Sequence, residues 1–160
     1  MSDLLPMAET IGELLKARKE TVAVAESSTG GLIAAALLSV PGASAYFIGG
    51  GVIYTETARR ALLGIELSEH PGMRPATEAY AALCAGRIRE RLGTTWGIGE
   101  TGATGPTGNR YGDPAGHSCI SIFGPQPRNT TVETGRSERE DNMWRFARAT
   151  LELFEEVLRG

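Results

Sequence analysis

Between Thr21 and Val40 the chain reads TVAVAESSTGGLIAAALLSV and changes character twice. TVAVA is a short β-branched run of the kind that forms a buried strand, GGLIAAALLSV has high helix propensity after its first turn, and VPGAS stops it. A strand that turns at once into a helix is half of a crossover unit, because parallel neighbours cannot be joined by a hairpin. The stretch therefore points to an α/β architecture.

The remaining pattern agrees. Met7, Ile11, Leu14 and Leu15 recur at helical spacing and predict an N-terminal amphipathic helix that ends near KARKE. YFIGGGVIY reads as a second strand, with a bulge or a close backbone approach at Gly49, Gly50 and Gly51, and TETARRALLG as a short helix. Tyr80, Leu83, Cys84, Ile88 and Leu92 mark a helix that starts near Ala76 or Thr77 and stops before Gly93. WGIGE is a short strand, HSCISIF alternates like a strand, NTTVET is its hairpin partner, and Met143 to Leu158 forms a last amphipathic helix. Helices between most strands predict a three-layer α/β/α sandwich on a mixed, mainly parallel sheet of about five strands. One domain over residues 1–160 is expected.

A formal charge of −3 with both signs interspersed gives no basic stripe, so nucleic acid is not an expected partner. No window approaches the roughly 20 apolar residues of a membrane span, and MSDLLPMAET is not a cationic leader, so a cytoplasmic protein away from membranes is expected. Cys84 and Cys119 sit in apolar phases and predict buried, unpaired thiols. With His70 and His117 the only histidines, no metal site is expected, nor any cofactor. An assembly of identical chains is expected.

Three segments can carry chemistry. In open α/β sheets ligands collect at the carboxyl ends of strands, where Glu26 to Gly31 falls. The N–H groups of Ser28, Thr29, Gly30 and Gly31 would lie unpaired in a first helical turn and suit a phosphate or an oxyanion. The same hydroxyls also serve as helix caps. The second segment, TGATGPTGNRYGDPAG from Thr101 to Gly116, offers backbone donors at Gly102, Ala103, Gly105 and Gly108, a rigid Pro106 and the cation of Arg110, or else is a surface loop. The third is Arg136 and Arg139 before the last helix, in a charge run that also reads as a solvated face.

Together these segments resemble the CinA C-terminal-domain family, the nicotinamide-nucleotide amidases. AESSTGG matches the family's AESCTGG turn, VPGASAYFIGGGVIYTETAR its VPGSSAxFxGGxVxYSNEAK stretch, ALLGI its ALLGV, and TGATGPTGNRYGDPAG its TGIAGPxGG loop closing on KPVG. The likeness covers nearly the whole chain. It implies hydrolysis of nicotinamide mononucleotide to nicotinate mononucleotide and ammonia, and a small mononucleotide as partner.

Carried over, the family's serine nucleophile falls on Ser27 and its tyrosine on Tyr54. The lysine that the resemblance implies takes the serine proton falls on Arg59. A buried lysine can be tuned to accept a proton near neutral pH, whereas arginine stays protonated and only donates. The only lysines, Lys16 and Lys19, are on the first helix, leaving Glu26, Glu56, His70 and His117 as alternative bases. Ser28 stands where the family has a cysteine, and the family arginine maps to Arg139 or to Arg136. The alternative function is a nucleotide-binding or phosphometabolite-binding protein of the same fold, in which Arg59 pairs with an anion.

Overall fold

The strand β1 (Val22–Glu26) sorts its side chains into two layers by size. Val22 and Val24 join the larger core with Ile11 and Leu15 of α1 (Leu5–Arg18), Ile33 and Leu37 of α2 (Leu32–Leu38), and Leu151 and Phe154 of α5 (Arg139–Arg159). Ala23 and Ala25 point the other way, against Tyr80, Cys84 and Ile88 of α4 (Glu78–Leu92). A period of two thus feeds both outer layers of the sandwich. The computed structural model describes residues 1–160.

The sheet is completed by β2 (Phe47–Val52), β3 (Trp96–Ala103), β4 (His117–Phe123) and β5 (Arg128–Glu133), in the order β2-β1-β3-β4-β5. β1 pairs in parallel with both β2 and β3, while β3 with β4 and β4 with β5 are antiparallel. The three-layer class and the five strands hold, but the sheet is evenly mixed rather than mainly parallel. The late hairpin, and β4 running back along β3, account for the difference.

On β3, glycines alternate with larger residues for a steric reason. A Cβ on Gly97 would stand 2.1 Å from the carbonyl oxygen of Ala85, and one on Gly99 the same distance from that of Ala81, so α4 lies backbone to backbone against the strand. On the other face Trp96 meets Phe154 edge to face, ring centroids 5.8 Å apart. β1 and β2 slip register between Val22 and Ala23, which pair with Phe47 and Gly49, so the irregularity falls at Ile48, just ahead of the glycine run. The close backbone approach falls within the run, at Gly50, where a Cβ would stand 2.3 Å from the Val24 carbonyl oxygen.

Helix ends follow local chemistry. Thr77 caps α4 by accepting from the Tyr80 amide at 3.2 Å, and Gly93, at φ 64°, closes it. Thr55 caps a short α3 (Glu56–Ala58), which from Arg59 to Leu63 widens into a π turn. Both cysteines are buried and unpaired, as the apolar pattern predicts. No helix is long and apolar enough to cross a membrane.

Candidate active site

Parallel pairing on both sides of β1 brings three chain segments to one end of the sheet. Glu26 pairs with Val52, and its carbonyl accepts the Ile53 amide, which delivers Tyr54 beside the Ser27 turn. Ala25 pairs with Gly99, so Glu100 and Thr101 arrive at the same level from the other side. This is the strand-end position at which α/β sheets collect ligands.

Two buried carboxylates hold the turn. Glu26 accepts the amides of Gly31 at 3.2 Å, Ile33 at 2.9 Å and Ala34 at 2.8 Å, and the Thr29 hydroxyl at 2.7 Å. Burial pushes its carboxyl above the usual range, against the lowering effect of these bonds. Glu100 accepts the amides of Ser27 at 3.0 Å and Thr29 at 3.1 Å and the hydroxyls of Ser28 and Ser118, and the Thr29 hydroxyl, 3.0 Å away, shares its one proton between Glu100 and Glu26.

The expectation of free amides from Ser28 to Gly31 is therefore corrected. α2 begins only at Leu32, the Gly31 amide goes to Glu26, that of Thr29 to Glu100, and that of Gly30 to the Ser27 carbonyl at 3.2 Å. The protein supplies its own anion at the helix start, which satisfies the orphan donors an outside phosphate would have used. Thr29 is fully buried, and Thr29, Gly30 and Gly31 line neither of the cavities described next. Only Ser28 retains an uncommitted amide in the turn, and only Ser27 an uncommitted hydroxyl.

Ser27 opens on a cavity of about 220 Å³ that also contains Tyr54, Arg59, Tyr80, Thr101, Arg110 and Tyr111. Ser28 opens on a neighbouring cavity of about 250 Å³ with Gly102, Ala103, Gly105, Gly108 and Arg139. Tyr54 borders both. Ser27 and the glycine loop thus do not share one pocket but face adjoining compartments. Gly102 and Ala103 belong to β3 rather than to the loop, and Pro106 is exposed and lines neither cavity.

Arg139 opens α5 and donates to the Gly105 carbonyl at 2.7 Å and to the Tyr54 phenol oxygen at 3.0 Å, bridging loop and tyrosine. Arg136 instead pairs with Asp141 at 2.7 Å outside the cavities. Arg110 lies at the rim and donates to the Tyr111 hydroxyl at 2.9 Å.

Arg59 is 7% exposed, pairs with no carboxylate, and its Nε has no hydrogen-bond partner. Its guanidinium carbon sits 5.9 Å from the Tyr80 ring centre. Of the alternative bases, none bonds to Ser27. Glu26 is consumed by the turn, and Glu56, at the rim, is held by Arg60 at 2.7 Å. His70 lines neither cavity, and Tyr80, whose phenol burial pushes up to about 12, is no base at neutral pH. Lys19 caps α1 just ahead of β1, at the far end of that strand from Ser27, and Lys16 lies by Gly42, before β2.

His117 anchors the base of the glycine loop. Its Nδ1 faces Glu133 at 2.5 Å and its Nε2 the Ala76 carbonyl at 2.8 Å, an arrangement that suits an imidazolium with both nitrogens donating. Burial opposes the charge, but Glu133, Ala76 and Asp113 outweigh it and raise the pKa. Asp113 is itself held below the usual carboxylate range chiefly by Arg74, which donates to it at 2.8 Å. The loop is stapled rather than loose. Sequence reasoning missed Glu100 and Tyr80, and took the Thr101 to Gly116 segment for its backbone donors and Arg110 without the side chains of Thr101 and Tyr111; the available signal was an acid, Glu100, ending an otherwise apolar strand.

The α/β/α sandwich thus places two adjoining cavities at the ends of its parallel strands. Residues 4–158 match the family model described as CinA C-terminal domain, and the chain belongs to that family. A CinA-like protein from Synechocystis is 39% identical over 140 residues, covering 86% of this chain and 33% of that protein. One from Salinibacter ruber is 37% identical over 145 residues, 89% of this chain and 34% of that protein, so the chain spans about a third of the length of these curated relatives. Among solved structures, the competence/damage inducible protein CihA from Agrobacterium tumefaciens has a TM-score of 0.89 at 26% identity, with 97% of this chain and 95% of that one covered. The competence damage-inducible protein A from Klebsiella pneumoniae gives 0.90 at 25% identity, covering 98% and 97%.

Proposed function

We propose that this chain is a serine amidohydrolase that takes nicotinamide mononucleotide and cleaves its carboxamide slowly. The observation that carries the reading is the free hydroxyl of Ser27 at a strand end, in a cavity whose neighbour, across Tyr54, is lined by glycine backbone and Arg139. The pyridine ring and carboxamide enter the Ser27 compartment. The phosphate lies along Gly102 to Gly108 with Arg139, in the adjoining one.

Ser27 Oγ attacks the carboxamide carbon and gives its proton to solvent, since no protein base reaches it. The oxyanion is met by the Ser28 amide and the Arg59 guanidinium. The C–N bond breaks, the nitrogen leaves as ammonia after taking a proton from water, and water hydrolyses the acyl-serine to the acid. Tyr54, polarised by Arg139, orients the substrate. Loss of a positioned base is worth about 10² to 10⁴ in rate.

Ammonia release from nicotinamide mononucleotide is expected to be slow, to stop in Ser27→Ala, and to climb with pH without a plateau through about pH 9, as removal of a proton by solvent requires. Release that persists in Ser27→Ala would defeat this reading. A second reading, binding without turnover, is favoured by the unpaired, buried Arg59. It predicts a ligand-induced rise in melting temperature with no ammonia.

A further inference from the structure

Arg59 is a buried cation without an anion. It is 7% exposed, lies in the Ser27 cavity, and its Nε is buried with no acceptor. What the protein provides beside it is Tyr80, with its ring centre 5.9 Å from the guanidinium carbon and its phenol, which carries no charge, within the guanidinium's reach. No neighbouring group supplies the missing charge. Burial keeps the Tyr80 phenol and the Cys84 thiol neutral, raising them to about 12 and about 11. Glu56, the only carboxylate lining the cavity, is paired with Arg60 and has a side chain 59% exposed.

Such a guanidinium is costly to bury alone and is offset by an anion that enters the cavity. Its planar fork matches a carboxylate, which presents two acceptor oxygens and a full charge. A carboxamide matches it poorly, because only its carbonyl accepts and its NH2 group would meet donor with donor. We propose that Arg59 makes this cavity a carboxylate-reading site, which takes a pyridine mononucleotide in its acid form, ring carboxylate on the guanidinium, in preference to the carboxamide form. The inference rests on the ligand placement under Proposed function and extends it to specificity. The chain then holds the hydrolysed acid more firmly than the amide.

The test is calorimetric titration of Ser27→Ala, which removes turnover, with nicotinate mononucleotide and with nicotinamide mononucleotide. The acid is expected to bind at least tenfold more tightly. Adding Arg59→Gln should weaken the acid tenfold or more and change the amide less than twofold. Equal affinity, or tighter binding of the amide, would overturn the inference while leaving the proposed site standing. Equal weakening of both ligands by Arg59→Gln would assign the guanidinium to the phosphate and also overturn it. If neither ligand binds, the proposed function fails with it. The acid-to-amide ratio with Arg59 intact decides the matter even where Arg59→Gln does not fold.

Discussion

Ser27, Ser28 and Thr29 are three consecutive hydroxyls, and Glu100 separates their roles by drawing the last two inward. Its carboxylate accepts four hydrogen bonds, shares a fifth from the Thr29 hydroxyl with Glu26, and makes none as a donor. Glu100→Gln is therefore expected to cost about 2–3 kcal/mol, because an amide NH2 would meet donors and leave a buried polar group unsatisfied. Urea unfolding monitored by circular dichroism reads this, and a change below about 0.5 kcal/mol would contradict the clasp. The sequence displayed the hydroxyls but not their partner, which arrives from a strand more than seventy residues away, so local pattern suggested a cap or an anion cradle. At His117 the folded pKa lies above the unfolded value near 6.5. The folded state binds that proton more tightly, so the contribution is full below about pH 6 and disappears as pH rises through the raised folded value. Because Glu133 is half exposed, the effect is set at about 0.5–1 kcal/mol. Melting curves of wild type and His117→Gln between pH 5 and 8 should diverge at the acidic end and converge at the alkaline end.

The glycines of WGIGE serve an element rather than a site. Gly99→Ala would drive a Cβ against the Ala81 carbonyl, which belongs to the α4 backbone and has no rotamer to give. The cost is expected to be about 3 kcal/mol, at the upper end for overpacking, and an unchanged urea midpoint would refute the close packing. Element identity was legible because hydrophobic period reports burial directly: the helices at Met7, Tyr80 and Met143 and the strand HSCISIF lie where the pattern puts them. Ends were less so. β3 continues through Thr101, Gly102 and Ala103, because pairing with Cys119, Ser118 and His117 on β4 overrides the turn-like composition of that stretch. Strand direction, hence the even mixture of pairings, depends on partners far apart in sequence and is not encoded in any one run.

At the scale of the whole molecule, the three-layer class follows from the alternation of strands and helices, while the division of the site into two compartments does not. It arises where Tyr54, Arg139 and Gly105 meet across 85 and 34 residues of chain. Arg59 is visible in the sequence as a residue, but its burial and its unpartnered Nε belong to the fold. The amidase proposed for this site has Ser27 as its nucleophile and no base where Arg59 stands. The measurement that tests it most directly is ammonia release from nicotinamide mononucleotide by wild type and by Arg59→Lys, at equal concentration near neutral pH. The predicted result is a rise of an order of magnitude or more in the lysine variant, within the roughly 10² to 10⁴ that a general base contributes. Fast turnover by wild type, unchanged or lowered by Arg59→Lys, would contradict it.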